Sequence, residues 1–483
     1  MTNNKSYKNL IAGKLCDAIS GKKLDVTSPS DGLSFASIPQ SSKRDIDLAV
    51  RSARHAYEKG AWGKMSATER GRVLLKFSFL IEKHKDELAS LEAKDTGKIF
   101  SQAKSDISGL ARYFEFYGGA ADKMHGDTIP MKGDFLALTL REPHGVVAGI
   151  IPWNYPSKIL GRVIGAALAM GNSLVIKPAE DACLSVLRVG ELAIIAGVPD
   201  GALNIVAGTG IEAGAALSSH KGVDFISFTG SPITGTIIQQ TAAKNNRGVT
   251  MELGGKSAQV VFADADLEKA LPVIVSGIIH NSGQVCSAGS RVLIEQSIYD
   301  EFIKKLAARF KELVAGPHDA DFDLGALVSQ KQLKIVKAFI EQAKQENIEL
   351  LATGEIANNA PKGGNYIEPH LFTNVPPKSD LAQKEIFGPV LCALPFKNEE
   401  DAIKLANNTE FGLVSSVWSN DGARQIRVAK KIRAGQIFIN AYGAGDGNEL
   451  PFGGFKKSGF GREKGLEGLY EMSAIKTIIF NHS

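Results

Sequence analysis

Gly145-Val146-Val147-Ala148-Gly149-Ile150-Ile151-Pro152-Trp153-Asn154-Tyr155-Pro156 reads as a continuously apolar strand that stops at a proline and gives way to a helix-like segment over 157–170. A strand that is apolar on both faces must be covered on both faces, as in a parallel sheet flanked by helices. The alternation continues downstream. Apolar runs at 173–176, 202–206 and 223–228 alternate with helix-like segments at 184–197 and 211–219. A second series follows Glu252, with strands expected at 257–262, 391–396 and 436–439 and helices near 267–282 and 298–314. Upstream of Gly145 the texture differs. Segments 44–58, 66–94 and 101–124 carry helix-period apolar positions among charges and predict surface helices. The expected fold is α/β, with two consecutive parallel-sheet domains and a cleft between them.

With 483 residues the chain is long enough for two or three domains and a large core. Hydrophobic residues make up 44% and charged residues 22%, the balance of an ordinary globular protein. The formal charge is only +4, and Lys and Arg are interspersed with Asp and Glu. No basic face for nucleic acid is therefore expected. Residues 1–15 lack the apolar core of a secretory signal. The apolar stretch 159–170 is interrupted by Gly161, Arg162 and Gly165, so no membrane span is expected. Cys16, Cys183, Cys286 and Cys392 are scattered, without a CxxC pair or a metal-like spacing to histidine. Neither a disulfide framework nor a metal is expected, and a reducing cytoplasm is the default compartment.

Two stretches carry chemistry. Gly283-Gln284-Val285-Cys286-Ser287-Ala288-Gly289-Ser290-Arg291 sets a thiol among small residues, and Met251-Glu252-Leu253-Gly254-Gly255-Lys256 supplies a carboxylate. Together they suggest a thioester on Cys286 that activated water then hydrolyses. A buried structural thiol is the other use of cysteine, and it suits the apolar or helix-like surroundings of Cys183 and Cys392. Gly208-Thr209-Gly210-Ile211-Glu212-Ala213-Gly214 follows a strand and opens a helix, as a phosphate-binding turn would. Its last spacing is one residue longer than the dinucleotide fingerprint. Phe228-Thr229-Gly230-Ser231-Pro232-Ile233-Thr234-Gly235 is a second such turn, with Ser231 as a candidate cap. Lys177-Pro178-Ala179-Glu180 puts a cation and an acid at the carboxyl edge of a strand. That is either a ligand contact or a solvated strand end.

Seven segments in this order resemble the aldehyde dehydrogenase superfamily. They are Pro152-Trp153-Asn154-Tyr155-Pro156, Lys177-Pro178-Ala179-Glu180, Phe228-Thr229-Gly230-Ser231, Glu252-Leu253-Gly254-Gly255-Lys256, Gly283-Gln284-Val285-Cys286, Glu385-Ile386-Phe387-Gly388-Pro389 and Pro451-Phe452-Gly453-Gly454-Phe455-Lys456. The resemblance implies a Rossmann-like NAD-binding domain (1–121 and 143–254), a catalytic domain (255–456) and a small oligomerisation strand element (122–142 and 457–483). It also implies a homodimer or homotetramer. By the same resemblance Cys286 is the nucleophile, Asn154 with the Cys286 N–H stabilises the oxyanion, and Glu252 is the general base. Members that pass the acyl group to coenzyme A lack that carboxylate, so Glu252 implies a free acid product. NAD is implied as cofactor. Lys177 and Glu180 would hold the adenine ribose, Gly210 the adenine side, and Gly230 and Ser231 the pyrophosphate. Glu385 and Phe387 would hold the nicotinamide ribose and ring, with Ile150, Ile151, Trp153 and Leu253 alongside. The Glu180 carboxylate would repel a 2′-phosphate.

One departure bears on substrate. Many members carry a Trp-Lys pair where this chain has Arg162-Val163. In the succinic semialdehyde branch an arginine at this distance grips the substrate carboxylate, although the second cysteine often found in that branch is missing here. Arg162 on an apolar helix either forks onto an anionic aldehyde or closes an internal salt bridge, for instance to Glu449. Tyr155 and Phe452 add aromatic walls suited to many aldehydes, betaine aldehyde included through cation–π contact. The leading expectation is an NAD-dependent, hydrolytic aldehyde dehydrogenase. A semialdehyde dehydrogenase is the alternative, and a non-catalytic relative or a cofactor-free thioesterase are the remote ones.

Overall fold

A computed structural model describes residues 5–443 and 447–483, leaving residues 1–4 and 444–446 outside it. Among the described residues the larger sheet has eight strands. Its five central strands are all parallel, in the order Gly248–Glu252, Phe225–Thr229, Val146–Ile151, Ser173–Pro178 and Leu203–Ile205. Four of them are almost wholly buried, as continuously apolar strands require, and Gly248–Glu252 is buried over Thr250–Glu252. Three short antiparallel strands finish the edges, Gly459–Phe460 on one side and Asn9–Ile11 with Lys14–Cys16 on the other.

A second sheet has seven strands, in the order Glu349–Thr353, His370–Thr373, Val390–Phe396, Arg291–Glu295, Ala258–Val261, Val414–Trp418 and Gln436–Ile439. All its pairings are parallel except that of the first strand. The fold is therefore α/β with two parallel-rich sheets, and a small antiparallel sheet stands beside them. Phe135–Pro143 is the centre of that small sheet, between Thr128–Ile129 and Ser473–Asn481. The tail beyond 457 thus serves two sheets, since Gly459–Phe460 first pairs beside Glu252.

Three expected helices come out differently. The stretch 66–94 is two helices, Ala67–Lys83 and Lys85–Thr96, parted at His84, whose ring meets Glu87 at 2.8 Å. The segment at 211–219 begins as a wide turn over Gly210–Gly214 before Ala215–Ser219. The helix expected to 282 ends at Ile279, because Asn281 and Ser282 adopt left-handed backbone with φ of 47° and 55°. Among the described residues no helix is long and apolar enough to cross a membrane.

Candidate active site

Helix Pro156–Met170 starts on a proline, whose missing N–H costs nothing at that position. This start leaves Trp153, Asn154 and Tyr155 in the turn between strand and helix. Asn154 is only 4% exposed, and its side-chain N–H donates to the Gln284 carbonyl at 2.8 Å. The cofactor-side sheet and the cysteine loop are thereby tied by one amide. Asn281, in its left-handed conformation, donates its own amide to the Asn154 carbonyl at 3.0 Å and to the Gln284 carbonyl at 3.3 Å. Gly283 follows with φ +75°, and a Cβ there would stand 2.1 Å from the Gly388 carbonyl oxygen. Only glycine fits this approach.

Cys286 is half-buried and opens on a cavity of about 560 Å³. Tyr113, Tyr155, Phe438, Tyr442 and Phe452 give the cavity aromatic walls. Burial pushes the Cys286 thiol up to about 12, against the nearby Arg162 charge, which favours the thiolate. Glu252 ends the strand Gly248–Glu252 and is 1% exposed. Neither of its carboxylate oxygens has a hydrogen-bond partner. Burial, followed by the charge of Glu463, holds this carboxyl well above the usual carboxylate range, while Arg162 and Arg462 pull the other way. A buried carboxylate with open lone pairs is equipped to take a proton from water.

Arg162 lines the same cavity but is already engaged. Its Nε lies 2.5 Å from Glu463 Oε2, and Glu463 also accepts from Ser227 Oγ at 2.9 Å. The partner is therefore Glu463 and not Glu449, which pairs with Arg112 at the surface. The reason is desolvation. A guanidinium 8% exposed needs an equally dry carboxylate, and Glu463 is 3% exposed. The Arg162 guanidinium also sits 5.3 Å from the Phe452 ring centre, and Lys464 lies 5.7 Å from the same ring.

The cofactor candidates gather at the carboxyl ends of the parallel strands. Lys177, in the strand Ser173–Pro178, holds Glu180 Oε2 at 2.8 Å, and Glu180 Oε1 accepts from the Gly210 N–H at 2.9 Å. The first glycine turn thus spends that donor on a carboxylate instead of a phosphate. The second turn stays open. Ser231 caps helix Pro232–Ala243, accepting from Thr234, and leaves the helix start facing outward. Ile211 and Ile233, one beside each turn, are 93% and 78% exposed and offer apolar surface for a flat base. These groups suit a dinucleotide. Leu253 packs against the helix at Gly235. Ile150 and Ile151 end the central strand Val146–Ile151.

Glu385 reaches over Gly254 to accept from the Gly255 N–H at 2.9 Å. A Cβ on Gly254 would lie 2.2 Å from that carboxylate. Burial raises the Glu385 carboxyl to about 7. Phe387 has left-handed backbone (φ 59°), held by Gln332 donating to its carbonyl at 3.0 Å. Its ring meets Trp153 edge-on with centres 5.3 Å apart. Cys183 and Cys392 are buried elsewhere, and the Cys392 thiol points at the Leu381 carbonyl.

Sequence reading missed Glu463, Lys98, Asn281 and the cavity residues Phe438 and Tyr442. Asn281 carried a signal in the run Asn281-Ser282-Gly283, residues that tolerate or favour turns. Glu463 carried only the demand that a lone arginine on an apolar helix find a carboxylate.

Residues 16–478 match the model of the aldehyde dehydrogenase family. Aldehyde dehydrogenase 1 of Tanacetum cinerariifolium is 44% identical over 477 residues, covering 98% of this chain and 95% of that protein. Among solved structures, an NAD+ complex of an aldehyde dehydrogenase from Bacillus cereus superposes with TM-score 0.97 at 39% identity, covering 100% of this chain and 98% of that one. A betaine aldehyde dehydrogenase from Staphylococcus aureus, in complex with NAD+, gives TM-score 0.96 at 36% identity over 99% of this chain and 95% of that one.

Proposed function

For a chain that belongs to the aldehyde dehydrogenase family and is an NAD-dependent oxidoreductase acting on aldehydes, we propose oxidation of a neutral apolar or aromatic aldehyde to its carboxylic acid through a thioester on Cys286. The observation that carries the reading is the Cys286 thiol opening on an aromatic cavity, with the Asn154 amide held on the neighbouring Gln284 carbonyl and the buried Glu252 carboxyl, its two oxygens unfilled, close enough for its charge to act on the thiol.

In this reading Cys286 Sγ bonds to the aldehyde carbon as its thiol proton passes to water in the cavity, and the carbonyl electrons move onto oxygen. The Asn154 amide and the Cys286 backbone N–H would donate to that oxyanion, each such donor stabilising the transition state by about 3–4 kcal/mol. Bound NAD supplies a two-electron acceptor for the hydride released when the adduct becomes a thioester. Lys177, Glu180, the Ser231 helix start, Glu385 and Phe387 would hold it. Glu252 as carboxylate then takes a proton from water. The resulting hydroxide attacks the thioester carbon, the C–S bond breaks, and the sulfur leaves as thiolate.

The lining of the cavity speaks to substrate. Lys158, Arg162 and Lys464 line it, and no carboxylate does among the described residues. Phe452 already faces two cations, and the Tyr155 ring centre lies 4.4 Å from the Lys98 ammonium. A cationic aldehyde would meet like charge where it needs an open ring face. Betaine aldehyde should therefore be turned over with kcat/KM at least about 10-fold below that of a neutral aldehyde of similar size. The second reading, an anionic semialdehyde, is favoured by the same cations. Assays with succinic semialdehyde and a neutral aliphatic aldehyde separate the two. Because Glu463 holds Arg162, Arg162→Ala is expected to slow both by similar factors; loss confined to the carboxylated substrate would make the arginine a clamp.

Cofactor choice gives a separate test. In this reading the Glu180 carboxylate, paired with Lys177, would face the 2′ position of the adenine ribose, and Lys177 would be free to pair with a phosphate there once Glu180 were neutral. Glu180→Gln should raise kcat/KM with NADP by about 10-fold relative to NAD. An unchanged ratio would remove Glu180 from the ribose site. A homo-oligomer accords with the exposed apolar residues Phe135, Leu136, Ile475, Ile479 and Phe480 on the small sheet. Four free thiols accord with a cytoplasmic location.

A further inference from the structure

Lys98, between helices Lys85–Thr96 and Phe100–Ala120, has no exposed surface. A lysine ammonium has three N–H donors, and here each has its acceptor. They reach Asp106 Oδ2 at 2.7 Å, Glu92 Oε1 at 3.3 Å and the Asn154 carbonyl at 2.9 Å. The anchors are themselves held. Glu92 accepts from Ser185 Oγ at 2.8 Å, and the other Asp106 oxygen lies 3.8 Å from Lys158. Stability does not explain the arrangement, since well-packed apolar residues often replace a buried ionic group without loss.

What the ammonium reaches is the turn that carries the site. The Asn154 carbonyl has two lone pairs, one filled by Lys98 and the other by Asn281 at 3.0 Å. The Asn154 side chain is fixed separately on the Gln284 carbonyl. The Tyr155 ring, the next residue and a wall of the cavity, lies against the same ammonium. A hydrogen-bond donor for an oxyanion works only when it is aimed before the charge develops, and small misplacements are costly.

We infer that Lys98 is a positioning residue for the oxyanion site. Its ammonium, anchored by Glu92 and Asp106, pins the Asn154 carbonyl and the Tyr155 ring so that the Asn154 amide is aimed at the oxygen of the aldehyde on Cys286. The inference rests on the reading of Asn154 as oxyanion donor given above.

The test is a double-mutant cycle. Lys98→Met alone would strand two buried carboxylates, so it is combined with Glu92→Gln, which leaves Asp106 beside Lys158. Wild type, this double variant, Asn154→Ala and the combination of all three substitutions are assayed for kcat and for KM of NAD. Asn154→Ala should lower kcat by about 10²- to 10³-fold. K98M/E92Q should lower kcat by about 10- to 100-fold with KM for NAD within about twofold, yet add less than about threefold to Asn154→Ala, as groups acting as one unit do. Lys98→Arg keeps the buried charge and serves where the apolar variant does not fold; it should slow wild type and not Asn154→Ala. If the losses multiply in full, or kcat does not move, Lys98 does not act through Asn154. A wild-type kcat in Asn154→Ala would overturn the donor assignment itself, and the Lys98 inference with it.

Discussion

Cys286→Ala is expected to bring NADH formation from every aldehyde down by about 10⁴-fold or more, to background, while NAD binding followed by fluorescence stays within about twofold. The size follows from what the sulfur does. It makes the only bond between enzyme and substrate in the proposed mechanism, and no other thiol borders the cavity among the described residues. Loss of the nucleophile also removes the atom that the Asn154 amide and the cysteine N–H are arranged around. Turnover above about one per cent of wild type would take the nucleophile role away from Cys286 and reopen the non-covalent alternatives. Abolished turnover also excludes a purely binding or structural role for a protein whose wild type is active.

Glu252→Gln is expected to cut steady-state turnover by about 10²- to 10⁴-fold and to leave a burst of about one NADH per site, because hydride release precedes the step that needs the base. Absence of the burst would place Glu252 before the thioester. The pH profile follows from the same carboxyl. Burial disfavours its charged form, so the base appears only above a raised pKa. Wild-type kcat should therefore rise with pH along a limb lying above the ordinary carboxylate range and fall away below it. Glu463→Gln removes a negative neighbour and leaves the Arg162 charge uncompensated. Both changes favour ionised Glu252, so the limb should move to lower pH. A limb that stays put, or moves up, is not that of Glu252.

Much of this site was legible before the fold was. The central strands announced themselves because a strand buried on both faces has no polar positions to hide, and Val146–Ile151 is apolar throughout. The helix from Leu267 was overextended because apolar periodicity says nothing about backbone handedness. The left-handed Asn281 and Ser282 then turn the chain into the cysteine loop. The break at His84 was similarly silent, since the apolar period resumes beyond it. Lys98 was invisible for a different reason. Lys94 and Lys104 on the flanking helices and Lys98 between them look alike in the sequence, yet only Lys98 of the three is fully buried.

The sequence by itself determined the family of this protein. Cys286 with its small neighbours, Glu252 and the glycine turns are local features, written in consecutive residues. Only the tertiary structure decided what those groups feel. Arg162 meets Glu463 because Gly459–Phe460 pairs beside the strand ending in Glu252, which brings a distant carboxylate into the dry space behind the cavity. Burial and charge pairing depend on which strands become neighbours, and no stretch of sequence contains that information alone.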